Sequence, residues 1–164
     1  MRSFNLADLF ELVADTVPDR LALVAGSVRL SYAELDARAN RFAHHIIDSP
    51  TAPGAHVGIL ARNRAEWVEA MVGCYKSRTV PINLNYRYLA PELRYVVDNA
   101  DLQVLVYERE LSQLVADSWD VSATGPLHLI VVEDGTPTAE HDPVAAATGT
   151  VPIPYEEALA GSTA

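Results

Sequence analysis

Lysine is nearly absent from this chain. Of its 12 basic side chains only Lys76 is a lysine, and none of the 12 lies beyond Arg109. Mechanisms that need two lysines, or one inside a phosphate-binding loop elsewhere, are excluded for these residues. Cysteine is represented by Cys74 alone, so no internal disulfide can form. The opening Met1-Arg2-Ser3-Phe4-Asn5 lacks the apolar core of a secretion signal, and a reducing cytoplasm is the expected compartment. No apolar run is long enough to span a bilayer. A basic surface is missing too: 22 acidic against 12 basic residues give a formal charge of −10, which argues against nucleic acid as a partner.

What is present suits one globular domain: 164 residues, 49% of them hydrophobic. The charge is unevenly placed. Residues 1–109 hold 12 basic and 13 acidic side chains, whereas residues 110–164 hold 9 acidic ones and no basic one.

Asn5 to Val17 reads as a helix with Leu6, Leu9, Phe10 and Val13 on a buried stripe, Asn5 as its cap and Pro18 as its stop. Two extended runs, Leu21 to Val24 and Val28 to Leu30, flank Gly26-Ser27 as a hairpin. Ser31 and Glu34 have the spacing of a capping box, which starts a helix with Leu35, Ala39, Phe42 and Ile46 inward and Arg38, Arg41, His45 and Asp48 away from that face. His56 to Leu60, Val80 to Ile82, Gln103 to Tyr107 and Leu127 to Val132 are short apolar strands separated by helical stretches at Arg64 to Lys76, after Pro91, and at about Glu108 to Asp117. Strand alternating with helix predicts an α/β fold with a parallel sheet flanked by helices on both faces. Glu133 to Pro154 lacks apolar periodicity and reads as an acidic loop or linker, so the expected organisation is an α/β unit over 1–132 and an acidic continuation over 133–164. We expect that segment to be mobile.

Local chemistry is sparse. No glycine-rich cradle with a following lysine is present, and His44, His45, His56, His128 and His141 never combine with Cys74 or carboxylates at metal-ligand spacing, so no metal site is expected. His44 and His45 read as a solvated helix end, Ser31 as a cap rather than a nucleophile, and Trp67, Met71, Cys74 and Tyr75 as core. The cluster Tyr86-Arg87-Tyr88 is the substrate-binding candidate. It follows a strand, and open α/β sheets bind ligands beyond the carboxyl ends of their strands. Arg87 could hold an anion between tyrosine walls; the alternative is a docking loop that packs its rings on a neighbouring layer.

Leu30-Ser31-Tyr32-Ala33-Glu34-Leu35, Ala39-Asn40-Arg41-Phe42-Ala43, Gly54-Ala55-His56-Val57-Gly58 with Asn63 and Glu66, and Pro81-Ile82-Asn83-Leu84-Asn85-Tyr86-Arg87-Tyr88 with Glu92-Leu93-Arg94-Tyr95 occur in an order that resembles the N-terminal part of the AMP-forming acyl-CoA synthetases. The likeness runs from about Phe4 to Val132 and is greatest to actinobacterial fatty-acyl and steroid side-chain CoA ligases. It implies the first subdomain of the large N-terminal domain of an adenylate-forming enzyme. Such an enzyme joins a small-molecule carboxylic acid to ATP as an acyl-adenylate and passes the acyl group to coenzyme A, with magnesium assisting.

The family's Ser/Thr/Gly-rich loop ending in Pro-Lys-Gly, its adenine-binding segment, its magnesium-binding Glu and its C-terminal-domain Lys have no counterpart here. The resemblance therefore carries over no catalytic, cofactor-binding or metal residue. None of ATP, coenzyme A and magnesium is expected to bind this chain tightly. Two alternatives stand beside this reading. One is a peptide-synthetase adenylation domain, disfavoured because Tyr75-Lys76-Ser77-Arg78 replaces that group's usual Leu-Lys-Ala-Gly. The other is a free-standing, non-enzymatic binding or dimerising module, and self-association as a homo-oligomer is expected of a chain with uncovered apolar surface.

Overall fold

The computed structural model describes residues 4–119, 127–137 and 141–161. Residues 1–3, on which the reading of the N-terminus partly rests, and residues 138–140 of the acidic segment lie outside the described residues.

The chain begins with α1 (Leu6–Thr16), whose cap is Asn5: its side chain accepts from the N–H of Ala7, and Asp8 returns to the N–H of Asn5. Strands β1 (Leu21–Ala25) and β2 (Val28–Ser31) form the antiparallel hairpin, and Gly26 takes φ 58° in the two-residue turn. The Ser31–Glu34 capping box then opens α2 (Tyr32–Asp48), the Ser31 hydroxyl accepting from the Glu34 N–H and the Glu34 carboxylate from the Ser31 N–H.

From there strand and helix alternate: β3 (His56–Leu60), α3 (Ala65–Lys76), β4 (Val80–Asn83), α4 (Ala90–Asn99), β5 (Leu102–Glu108), one 3₁₀ turn (Arg109–Leu111), α5 (Ser112–Ser118), β6 (His128–Val132), α6 (Pro143–Thr148), β7 (Ile153–Pro154) and α7 (Tyr155–Ala160). The second sheet runs β4-β3-β5-β6-β7 with every pair parallel.

Side chains alternate across a strand, so each apolar strand feeds two cores. Val57, Ile59, Val104, Val106, Ile130 and Val132 point to one face, where Phe42 and Ile46 of α2, Ala70 and Cys74 of α3, and Tyr155 and Leu159 of α7 cover them. Leu60, Leu105, Tyr107, Leu129 and Val131 point to the other, beneath Leu93 and Val97 of α4, Val115 of α5 and Val144 of α6. Helices α2 and α3 come close because Gly73 has no side chain: a Cβ there would lie 2.6 Å from Cδ1 of Phe42 and 3.0 Å from the carbonyl oxygen of Ala39.

Three expectations change. The stripe expected to be buried on α1 is rotated: Ala7 and Ala14 are buried with Phe10 half-buried beside Tyr32, while Leu6, Leu9 and Val13 are exposed. Small residues let α1 lie close to its neighbours. It is held there by Asn5, whose side-chain amide donates to the Tyr75 carbonyl, and by Glu11, which pairs with Lys76. The segment Glu133 to Pro154, read as a loop, contains α6 and β7; Asp142 caps α6, and Pro143 suits its first turn. Packing also continues past residue 132. The Tyr155 ring stacks on Phe42 with centroids 5.7 Å apart, and Tyr155 and Leu159 are each 1% exposed.

Candidate functional site

Helices after β3 and β5 lie on opposite faces of the sheet, α3 on one and α5 on the other. Adjacent strands whose connections leave in opposite directions open a crevice at their carboxyl ends, the usual ligand position in such sheets. The residues that emerge there are Ala61 to Arg64 after β3, Glu108 to Glu110 after β5 and Glu133 to Gly135 after β6.

These loops are cross-linked by charge. Glu108 is 3% exposed; one carboxylate oxygen accepts from the backbone N–H of Arg62 at 3.0 Å and the other from its guanidinium at 3.0 Å. The same Arg62 nitrogen reaches Glu110. Arg64 holds Glu66 through two parallel bonds of 2.8 and 2.9 Å and also donates to the Glu133 carbonyl. Arg109 grips the Glu133 carboxylate and lies 3.5 Å from Asp142. Burial opposes ionisation of Asp134, but the N–H groups of Glu110 and Thr136 and the Thr136 hydroxyl outweigh it and hold the carboxyl below its ordinary value.

Oxygens of Glu108, Glu110 and Asp134 lie within 4.8 Å of one another, a spacing compatible with a cation. They are already engaged by Arg62 and by backbone donors, so the cluster acts as a rigid brace between three loops. None of these groups stands as a nucleophile beside a base. Sequence reading missed the brace, although charged residues directly at the end of apolar strands were its visible sign.

The Tyr86-Arg87-Tyr88 cluster is divided by the structure. Tyr86 is half-buried beside the brace, with the guanidinium groups of Arg62 and Arg87 at 5.3 and 5.4 Å from its ring centroid. It lines a cleft of about 400 Å³ together with Asn63, Trp67, Asn83, Leu84 and Asn85. Arg87 is exposed, and its backbone N–H donates to the Asn85 side chain at 3.0 Å. Tyr88 turns away to pack on the α4 side, beside Pro91, Glu92, Tyr95 and Val96. Tyr86 thus lines the cleft, Arg87 lies against its ring in solvent, and Tyr88 serves packing.

On the face covered by α2, α3 and α7 a buried carboxylate is paired with an arginine that the sequence places away from the apolar face of α2. Arg38 of α2 lies 2.7 Å from Oε1 of Glu69, which is 1% exposed, and its other nitrogens hold Glu156 of α7. Burial raises the Glu69 pKa, and the Arg38 partnership only partly offsets it. His45 is likewise not a solvated helix end: its Nε2 lies 2.8 Å from Nε2 of His128. Cys74 is an inert core thiol, its pKa pushed up to about 12 by burial. Among the described residues no helix is long and apolar enough to cross a membrane.

Comparison with known proteins agrees with this architecture. The family model described as "AMP-binding enzyme" matches residues 10–160. The chain is 44% identical over 163 residues to the 3-oxocholest-4-en-26-oate–CoA ligase of Rhodococcus rhodochrous, which covers 98% of this chain and 28% of that ligase. It is 44% identical over 138 residues, 82% of this chain and 24% of the relative, to the medium/long-chain-fatty-acid–CoA/3-oxocholest-4-en-26-oate–CoA ligase of Mycobacterium marinum. The chain therefore spans about a quarter of the length of these relatives. Its fold is similar to a benzoate CoA ligase from Burkholderia xenovorans (TM-score 0.79, 19% identity, 98% of this chain and 29% of that one). It is similar also to the N-terminal domain of FACL13 from Mycobacterium tuberculosis (TM-score 0.74, 22% identity, 99% and 37%). With the family model matched over residues 10–160, the chain belongs to the AMP-binding enzymes.

Proposed function

We propose that this chain is the opening part of a cytoplasmic ligase that activates a fatty acid or a steroid side-chain carboxylate with ATP and transfers the acyl group to coenzyme A. The observation that carries the reading is 44% identity across 98% of the chain to a ligase for a steroid acid. A carboxylate is a poor electrophile. Adenylation gives it a leaving group, and cations at the phosphate stabilise the charge that develops there.

The residues present do not fit the nucleotide or its magnesium ion. Among the described residues the carboxylate cluster at the strand ends is already engaged by Arg62 and backbone donors, and the only lysine, Lys76, is occupied by Glu11 and Asp36 at the end of α3 away from that crevice. We therefore assign ATP, coenzyme A and magnesium to the full enzyme and no chemical step to this chain. Its own contribution in this reading is a braced wall for the crevice. In it Tyr86 lines the cleft, Arg87 against its ring is offered to an anionic group of the substrate, and Tyr88 anchors the loop that carries them.

ATP–pyrophosphate exchange tests the reading. A polypeptide that continues this chain through a Ser/Thr/Gly-rich loop ending in Pro-Lys-Gly should exchange with fatty or steroid carboxylates, and residues 1–164 alone should not. Magnesium-dependent exchange by the 164-residue chain would overturn the assignment of the chemistry to other residues.

A further inference from the structure

We propose that His45 and His128 form a binding site for one divalent transition-metal ion of the class that favours imidazole ligands, zinc or copper(II). The pair is built by the fold. His45 is on the last turn of α2, His128 is the first residue of β6, and 83 residues separate them, yet their Nε2 atoms stand 2.8 Å apart with ring centroids at 4.9 Å.

A tetrahedral zinc ion sits about 2.0–2.1 Å from each imidazole nitrogen, which places two such nitrogens about 3.3 Å apart. To admit the ion the rings need to part by about half an ångström and tilt, so that the two lone pairs, now nearly head-on, converge on it. In the metal-free pair one ring donates its Nε2 proton to the other. Coordination requires that this donor ring carry its proton on Nδ1 instead, so that both neutral rings offer an Nε2 lone pair and no proton leaves the site. Neutral imidazole is the form that binds metal. The carboxylate of Asp48, one turn along α2, adds a negative field at His45. Both rings are half-buried rather than sealed.

The site differs from the Glu108, Glu110 and Asp134 cluster in one decisive respect. Those oxygens face arginines, whereas the two imidazoles face each other.

Zinc chloride and copper(II) sulfate, titrated separately by calorimetry into the 164-residue chain at neutral pH, provide the test. One ion per chain should bind, and the melting temperature should rise with metal concentration because an ion joining α2 to β6 binds only the folded state. His45→Gln and His128→Gln should each weaken binding by at least the about 10- to 100-fold that loss of an outer partner costs a metal site. His141→Ala, at an exposed position, should leave it unchanged. Imidazole resonances of the wild-type chain give an independent reading: metal should shift those of His45 and His128 together while those of His56 and His141 stay in place. No saturable binding, equal binding by both glutamine variants, or shifts confined to His56 or His141 would overturn the proposal.

Discussion

The two halves of the chain differ more in charge than in structure. Every basic side chain lies within residues 1–109, and residues 110–164 are acidic without a single cation. Taken alone the second half resembles a solvated tail, and Glu133 to Pro154 reads as an acidic loop or linker. In the folded chain its acids are the partners of arginines from the first half: Glu110 with Arg62, Glu133 and Asp142 with Arg109, and Glu156 with Arg38 across 118 residues. Segregated charge here marks two segments that hold each other, and a composition shift by itself does not locate a domain boundary.

Removing the aromatic anchor of the second half should have the largest effect. Tyr155→Ala empties a site that is 1% exposed and stacked on Phe42, and it should cost about 3–5 kcal/mol in urea denaturation. A loss below about 1 kcal/mol, within the range of ordinary surface changes, would show that residues beyond 132 are dispensable to the core after all.

Arg38→Met should come next, at about 3 kcal/mol, because it leaves the buried Glu69 carboxylate without its partner. The sign with pH follows from Glu69. Its folded pKa is raised above the ordinary 4.5, so its protonated form favours the folded state, and that contribution is lost as pH rises through the folded value. The variant's deficit should therefore be greatest at neutral pH and shrink as pH falls toward 4.5. A deficit that does not vary with pH would mean that Glu69 is already protonated at pH 7 in the native chain.

Gly73→Ala tests a contact within the first half only, where a Cβ must displace Phe42 or crowd the Ala39 carbonyl; about 1–3 kcal/mol of destabilisation is expected by thermal melting. Glu156→Ala should be the mildest. Its side chain is 68% exposed, and the loss should be under about 1 kcal/mol. If Glu156→Ala proved as costly as Arg38→Met, the exposed arm of that fork would be carrying the link between the halves.

Local signals in the sequence were read well where the physics is local. The Ser31–Glu34 capping box, the Gly26-Ser27 turn, the inward Leu35, Ala39, Phe42 and Ile46, and the four apolar strands all follow from spacing within a few residues. The site was less legible. Tyr86, Arg87 and Tyr88 are consecutive after a strand, yet Tyr86 lines the cleft beside Asn63 and Trp67 while Tyr88 lies beside Pro91, Tyr95 and Val96 of the α4 region, a division that no local signal announces. On α1 the apolar arc was too wide for periodicity to decide which part of it faces the body, and the small residues Ala7 and Ala14 prevailed because they permit the closer approach.

By itself, then, the sequence determined the element order as far as β6, the alternation that makes a parallel sheet covered on both faces, and the family resemblance. Each of these rests on backbone preferences and hydrophobic period over short stretches. Only the tertiary structure decided that Arg62 would brace Glu108, that Arg38 would bury its charge against Glu69, and that His45 would meet His128. A period states which side of an element faces inward. It carries no information on which distant element will lie opposite, and the partner of a charge or an imidazole is settled only when strand order and helix packing bring the two together.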